Sequence, residues 1–290
     1  MRRLFLIFAA LFLTPAPAQA WWEYGHETVG AIAYRNVAPK TRAAVDALLR
    51  QGRLLETPTC PVNTVEKAAY WADCIKELGP RFSYAYSWHY QNVDICKPFD
   101  LKAACKDGNC VSAQIERDVK LLQDRTVPVR ERVMALAFLI HFMGDLHQPL
   151  HAGDKGDLGG NKVKAGYGAA VTERMNLHGI WDGYLAERAI STPPALVRLY
   201  SPAERATMTD GTVEDWSREN WSVAHDTVYA TALGGDPCGP VGTERAILDD
   251  RKIESLIAPL RRQVERGGLR LARLLDEALD KSRNPNAQNP

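Results

Sequence analysis

No stretch of this 290-residue chain is apolar for long enough to cross a bilayer. The apolar run at its start, Leu4–Leu13, has ten residues, where a spanning helix needs about 20. Charge of one sign is also missing. Lys and Arg number 36 against 35 Asp and Glu, a formal +1, so the broad basic excess of a general nucleic-acid coat is excluded. No Cys-x-x-Cys pair occurs, which argues against a zinc-thiolate site. No internal repeat and no compositional shift mark a second domain. What remains is an ordinary globular composition, 46% hydrophobic and 24% charged.

The first twenty residues stand apart. Met1-Arg2-Arg3, the apolar Leu4–Leu13 and Ala18-Gln19-Ala20 have the basic, apolar and small-residue order of a signal peptide. Residues 1–20 are therefore expected to be removed, giving an exported, periplasmic or secreted protein that begins at Trp21 and has no membrane anchor. Without Arg2 and Arg3 the balance becomes 34 basic against 35 acidic residues. Any polyanion handled by such a chain needs cations that the sequence does not itself carry, and bound metal ions would serve. Six cysteines follow, an even number that suits disulfides in an exported protein. Cys105 and Cys110 are close enough to close a short loop. The other four allow three pairings.

Periodicity and caps predict helices over most of residues 21–283, in one all-α domain, with residues 284–290 as a disordered tail. Pro39 reads as a helix start and Ser112 as an N-cap. Pro193-Pro194 reads as the opening of a short helix. Gly267-Gly268 is expected to bend the amphipathic Ile253–Leu279. Strand structure is confined to a small hairpin at most, around Lys162–Lys164 and Ala170–Thr172.

The densest chemistry lies in Ile140–His151, which holds His141, Asp145, His147 and His151 directly after the apolar run Val133–Ile140. On a helix His141 and Asp145 share one face. Pro149 should stop that helix near Gln148 and send His151 off on another vector. His178 and Asp182 repeat the i, i+4 spacing, and two such pairs on separate helices are how a bundle core builds a multinuclear metal site. His147 points away from the Asp145 face and reads as a supporting residue. His225 has no partner at helical spacing and reads as structural.

Trp21-x-x-x-Gly25-His26, Trp71-Ala72-Asp73, His89-Tyr90, the Ile140–His151 cluster, Gly159-Gly160-Asn161 and Asn176–Asp182 occur in the order and rough spacing of the S1/P1 nuclease family, which the chain resembles. The resemblance implies a mainly helical domain of the phospholipase C/P1 nuclease type holding three Zn2+. It implies an endonuclease that hydrolyses single-stranded DNA and RNA to 5′-phosphorylated products and acts on 3′-nucleotides, here expected as a monomer. One zinc would be held by Asp73, His89, His141 and Asp145. A second would take His26, the amine and carbonyl of Trp21, and Asp145 as a bridge; a third would take His151, His178 and Asp182. Asp73 and Asp145 become the catalytic carboxylates. Tyr90, Asp94, Lys97, Gly160 and Asn161 fall where the family contacts base and phosphate. The family's cysteines pair as Cys105–Cys110 and Cys96–Cys238, leaving Cys60 and Cys74 as a third bridge that would brace Asp73. Two departures stand out: Gly179 replaces a frequent second histidine, and Trp22 a usually small residue. A zinc-dependent phospholipase C with the same ligands, and a non-catalytic zinc-binding protein with closed coordination, are the competing readings.

Overall fold

The computed structural model describes residues 21–240 and 245–280; the expected signal segment 1–20 and the tail 284–290 lie outside the described residues. Helices α1 (Glu23–Asn36), α2 (Pro39–Leu49) and α3 (Val65–Cys74) open the fold, and a run of 3-10 turns, Ile75–His89, follows. After the single turn α4 (Leu101–Ala104) come α5 (Val111–Gln123), α6 (Val129–Leu146) and α7 (Pro149–Ala152). A third group comprises α8 (Leu177–Gly179), α9 (Leu185–Ser191), α10 (Pro202–Thr209), α11 (Val213–Val223), α12 (Ala230–Leu233) and α13 (Asp250–Leu279). Wide π turns, Ile180–Tyr184 and Ala224–Tyr229, join α8 to α9 and α11 to α12.

The hub is α6. Every residue from Arg132 to Leu146 is buried, so this helix has no polar face and sits among α1, α3, α5 and α13. Its sequence explains this, because Val133–Ile140 is apolar all round. Capping sets the neighbours' ends. Thr64 accepts the Lys67 N–H to start α3, Asp249 accepts the Lys252 N–H to start α13, and Ser201 with Glu204 forms a reciprocal capping box on α10. Pro149 is the first residue of α7, whose opening N–H at Leu150 is taken by the Gln148 side chain.

Several sequence expectations are corrected here. The hairpin gives way to two short parallel pairs: β1 (Val93–Asp94) with β2 (Gly153–Asp154), and β3 (Ala165–Tyr167) with β4 (Ala246–Leu248). Tyr167 and Ala170 do bridge antiparallel, so the turn exists, but its strand pairs with a segment about 80 residues away. Gly267-Gly268 does not break α13. A Cβ on Gly268 would stand 2.5 Å from Ile32 and one on Gly267 3.3 Å from the Met143 carbonyl and the His147 ring, so Gly268 lets α1 pack close and Gly267 faces the end of α6 while the helix runs on. Pro193-Pro194 is a cis bond in a loop, and the next helix starts at Pro202. Cys110, not Ser112, caps α5; the Ser112 hydroxyl is buried against Gln91 and Ser217.

All six cysteines are paired, Cys60–Cys74, Cys96–Cys238 and Cys105–Cys110. Three disulfides fit an exported protein. No helix of the described residues is long and apolar enough to cross a membrane.

Candidate metal centre

The last turn of α6 supplies the first pair. His141 Nε2 lies 3.0 Å from Asp145 Oδ2, one helical turn on. Gly144 sits between them, and a Cβ there would be 2.4 Å from His26 Nδ1, so only glycine admits the α1 histidine. The His26 ring then stacks on His141 at 3.9 Å. His89, at the end of the 3-10 run, brings Nδ1 to 2.9 Å from Asp145 Oδ2 and 3.0 Å from His141 Nε2. Asp73, near the end of α3, completes the group with Oδ1 3.6 Å from His89 and 3.7 Å from His141. Asp145 turns its other oxygen, Oδ1, toward His26 Nε2 at 3.6 Å.

The break at Pro149 carries His151 onto α7, where its ring stacks on His178 at 5.1 Å. His178 Nε2 meets Asp182 Oδ2 at 3.1 Å, with Asp182 in the first π turn. Asp182 Oδ1 accepts a hydrogen bond from Gln148 Nε2 at 2.6 Å. The Trp22 N–H donates to the Asp182 carbonyl at 3.0 Å, which draws the start of the described chain against this group. Trp21 itself is fully buried.

Three groups of possible ligands result: His26, His141 and Asp145; Asp73, His89 and His141; His151, His178 and Asp182. Within each, the ligand atoms lie within 4.8 Å of one another, and all of these side chains are buried. Tetrahedral zinc with bonds of about 2.0–2.1 Å would separate its ligands by about 3.3 Å. The contacts around Asp145, from 2.9 to 3.6 Å, bracket that spacing. Both ring nitrogens of His26, Asp73 Oδ2, Asp145 Oδ1 and Asp182 Oδ2 are buried without a hydrogen-bond partner. Such orphaned atoms are costly unless a cation meets them. The rings are oriented from behind. His141 Nδ1 bonds the Ala69 carbonyl, His151 Nδ1 that of His89 and His178 Nδ1 that of Gly159, each at 2.7 Å, which leaves every Nε2 lone pair free. Residues and group fit a borderline dication.

Without a cation, burial opposes charge at the histidines, Asp145 and Asp182, with different outcomes among them. Burial, reinforced by neighbouring imidazoles and the Lys76 ammonium, holds His26, His89 and His151 well below the usual histidine range. Burial lifts Asp145 to about 6 and also raises Asp182. At His141 and His178 burial opposes the charge, but the adjacent carboxylates outweigh it and raise both. A bound dication would favour neutral imidazole and ionised carboxylate, acting with burial at His26, His89 and His151 and against it at Asp145 and Asp182.

His89, His151 and His178 face a cavity of about 260 Å3, whose other walls include Lys76, Tyr90, Asn92, Leu158 and Asn161. Of the expected substrate contacts, Tyr90 and Asn161 line it. Gly160 is buried in the adjoining loop with its N–H on Asp157. Asp94 and Lys97 pair with each other at 2.8 Å and are not among the lining residues. His147 supports, as its position suggested: Nδ1 donates to Met143 O and Nε2 accepts from Arg270. Sequence reasoning passed over four residues. Lys76 reaches Asp73 at 2.6 Å, a signal available in its i, i+3 spacing. Gly144 lies inside the central motif. Asn92 and Gln148 gave no local signal.

The family model for S1/P1 nuclease matches residues 21–280, nearly the whole described chain. The chain belongs to the S1/P1 nuclease family. Endonuclease 2 of Arabidopsis thaliana is 27% identical over 93% of this chain and 95% of its own length. Nuclease P1 of Penicillium citrinum is 24% identical over 89% of this chain and 97% of its own. Nuclease S1 of Aspergillus oryzae is 30% identical over 65% of this chain and 62% of its own. Among solved structures, the alpha toxin from Clostridium absonum is similar with a TM-score of 0.47 and 13% identity, over 91% of this chain and 65% of that one. S1/P1 nucleases are metal-dependent phosphodiesterases, and three His/Asp groups able to bind metal are present here. The two departures from the family pattern are accommodated locally. Gly179 donates its N–H to the Asn176 side chain, capping α8. Trp22 lies over Gly183, where a Cβ would come within 2.3 Å of the indole, and meets Tyr184 edge-on at 5.3 Å.

Proposed function

We propose that this member of the family is a three-zinc enzyme of the periplasm or extracellular space, working as a monomer. It cleaves single-stranded DNA and RNA to 5′-phosphorylated products and removes the phosphate of 3′-nucleotides. The observation that carries the reading is the gathering of three buried His/Asp groups, two of which reach one cavity through His89, His151 and His178. Asp73, His89, His141 and Asp145 would hold one zinc. His26, Asp145 and the terminal amine and carbonyl of Trp21 would hold the second, and His151, His178 and Asp182 the third. Bound there, zinc supplies Lewis acidity, lowering the pKa of coordinated water to about 7 and drawing charge from a phosphoryl oxygen.

The protein's own part is placement. Asp145 offers one oxygen toward His141 and His89 and the other toward His26, which suits a bridging carboxylate. Asp73 is steadied by Lys76, whose ammonium also lines the cavity and suits a phosphate oxygen. Gln148 holds Asp182 through its second oxygen. Tyr90 is 41% exposed at the cavity wall, a stacking surface for an unpaired base. A stacked duplex must give up a few kcal/mol to present a base this way, which is the physical ground for single-strand preference.

Purified protein beginning at Trp21 is assayed on single-stranded DNA, duplex DNA, RNA, a 3′-nucleotide and a phosphocholine ester, with and without chelator. Chelator-sensitive hydrolysis of the single strands and the 3′-nucleotide is expected. Activity confined to the phosphocholine ester supports a phospholipase C instead. Three bound ions with no hydrolysis of any substrate support a zinc-binding protein.

A further inference from the structure

We infer that Tyr229 and Asp157, neither of them a candidate ligand, are positioning residues for the third metal group; the inference rests on the three-zinc reading. The path runs through the loop between β2 and β3. Tyr229 is fully buried in the second π turn, and its Oη donates to Asp157 Oδ1 at 2.6 Å. The same carboxylate oxygen accepts the Gly160 N–H at 2.7 Å. One residue earlier, the Gly159 carbonyl accepts the His178 ring N–H, the bond that leaves His178 Nε2 free toward Asp182.

Why this loop needs a carboxylate and a phenol follows from its backbone. Leu158, Gly159 and Gly160 are three consecutive residues at positive φ, 61°, 59° and 81°. For Leu158 that region is unfavourable, so an external constraint must hold the loop. Asp154 and Asp157 supply it. Asp154 Oδ1 accepts the N–H groups of Gly156, Asp157 and Gly159, each at 3.0 Å. Asp157 fixes Gly160, and Tyr229 fixes Asp157 to the helical layer behind. The loop cannot move away from that layer while Lys155 Nζ also binds the carbonyls of Pro237 and Gly239. Gly159 has no slack in the other direction, since a Cβ there would meet the Leu150 carbonyl at 2.2 Å. The Gly159 carbonyl that orients His178 is therefore set by the Tyr229–Asp157 contact.

Groups behind a metal ligand typically change metal affinity by about 10- to 100-fold when removed. Tyr229 acts one bond further back, so Tyr229→Phe should raise the chelator-driven release rate of the third zinc about tenfold. Release of the other two zincs should keep the parent rate, because the Tyr229 hydroxyl bonds Asp157, whose path leads through Gly160 and Gly159 to His178. Asp157→Ala should match or exceed this effect. Asp157→Asn, whose amide oxygen can still accept from Gly160 and Tyr229, should recover most of the parent behaviour. The measurement is zinc stoichiometry and stepwise release into a chromogenic chelator, with Tm recorded for each variant. A general packing role predicts that all three zincs loosen together as Tm falls. That result, or Tyr229→Phe releasing the third zinc at the parent rate, overturns the inference alone. A parent protein that binds no third zinc overturns the three-zinc reading and the inference with it.

Discussion

Glycine at position 144 matters because of a neighbour on another helix. The His26 ring occupies the space a side chain would need, and the nearest approach, 2.4 Å, is well inside contact distance. Gly144→Ala must push His26 off His141, and a fall in zinc affinity of about 10- to 100-fold is expected by equilibrium dialysis, with the third ion unaffected. Asp145→Asn is more severe. In the proposed scheme that carboxylate bridges two zincs, so mass spectrometry under native conditions should show two zincs lost together, and three zincs with full activity would refute the bridging role. Away from the metals, Asp118 is buried beside Arg117 with one oxygen unpartnered, and burial pushes its pKa well above the usual carboxylate range. A carboxyl raised in the folded state weakens the fold progressively as pH climbs from the unfolded value near 4 to the raised value, and has no such effect below the unfolded value. Asp118→Asn should therefore raise Tm at pH 8 by about 2–4 °C, the shift given by roughly 1 kcal/mol in a domain of this size. The gain should vanish as pH falls below about 4, which a series of melting curves checks.

Helix α13 shows how close packing can hide in a sequence. Two adjacent glycines in a helix lower its intrinsic propensity by about 1 kcal/mol each, which is why a bend was expected. The structure uses them as contact points, with Ile32 of α1 filling the space over Gly268 and the end of α6, at Met143 and His147, lying over Gly267. Gly268→Ala improves propensity yet overpacks the contact, and a net loss of about 1–3 kcal/mol is expected from urea denaturation. The elements most legible in the sequence were those with local causes. The start at Pro39, the buried run of α6 and the change of direction at Pro149 all come from residues within a few positions. His141 with Asp145, and His178 with Asp182, were legible for the same reason. Parallel pairing of β3 with β4 and the hold of Gln148 on Asp182 depend on tertiary approach, which composition and period do not encode.

Across the whole molecule the two longer disulfide loops differ in scale. Cys60–Cys74 closes 14 residues and sits next to Asp73, whereas Cys96–Cys238 closes 142. Loop-closure entropy assigns about 3 kcal/mol to the first and about 5 kcal/mol to the second. Replacing each pair by serine should reproduce that order in chemical denaturation. Loss of the smaller loop should nevertheless raise chelator sensitivity more, because it frees the end of α3. An equal metal-release rate in both variants would contradict that brace. The wide loop also bears on life among proteases. His141, Asp145, His151, His178 and Asp182 all fall between Cys96 and Cys238, while His26, Asp73 and His89 precede it. One cleavage anywhere from residue 97 to residue 237 leaves both pieces tethered, so a nicked enzyme would travel as a single band until a reductant parts it.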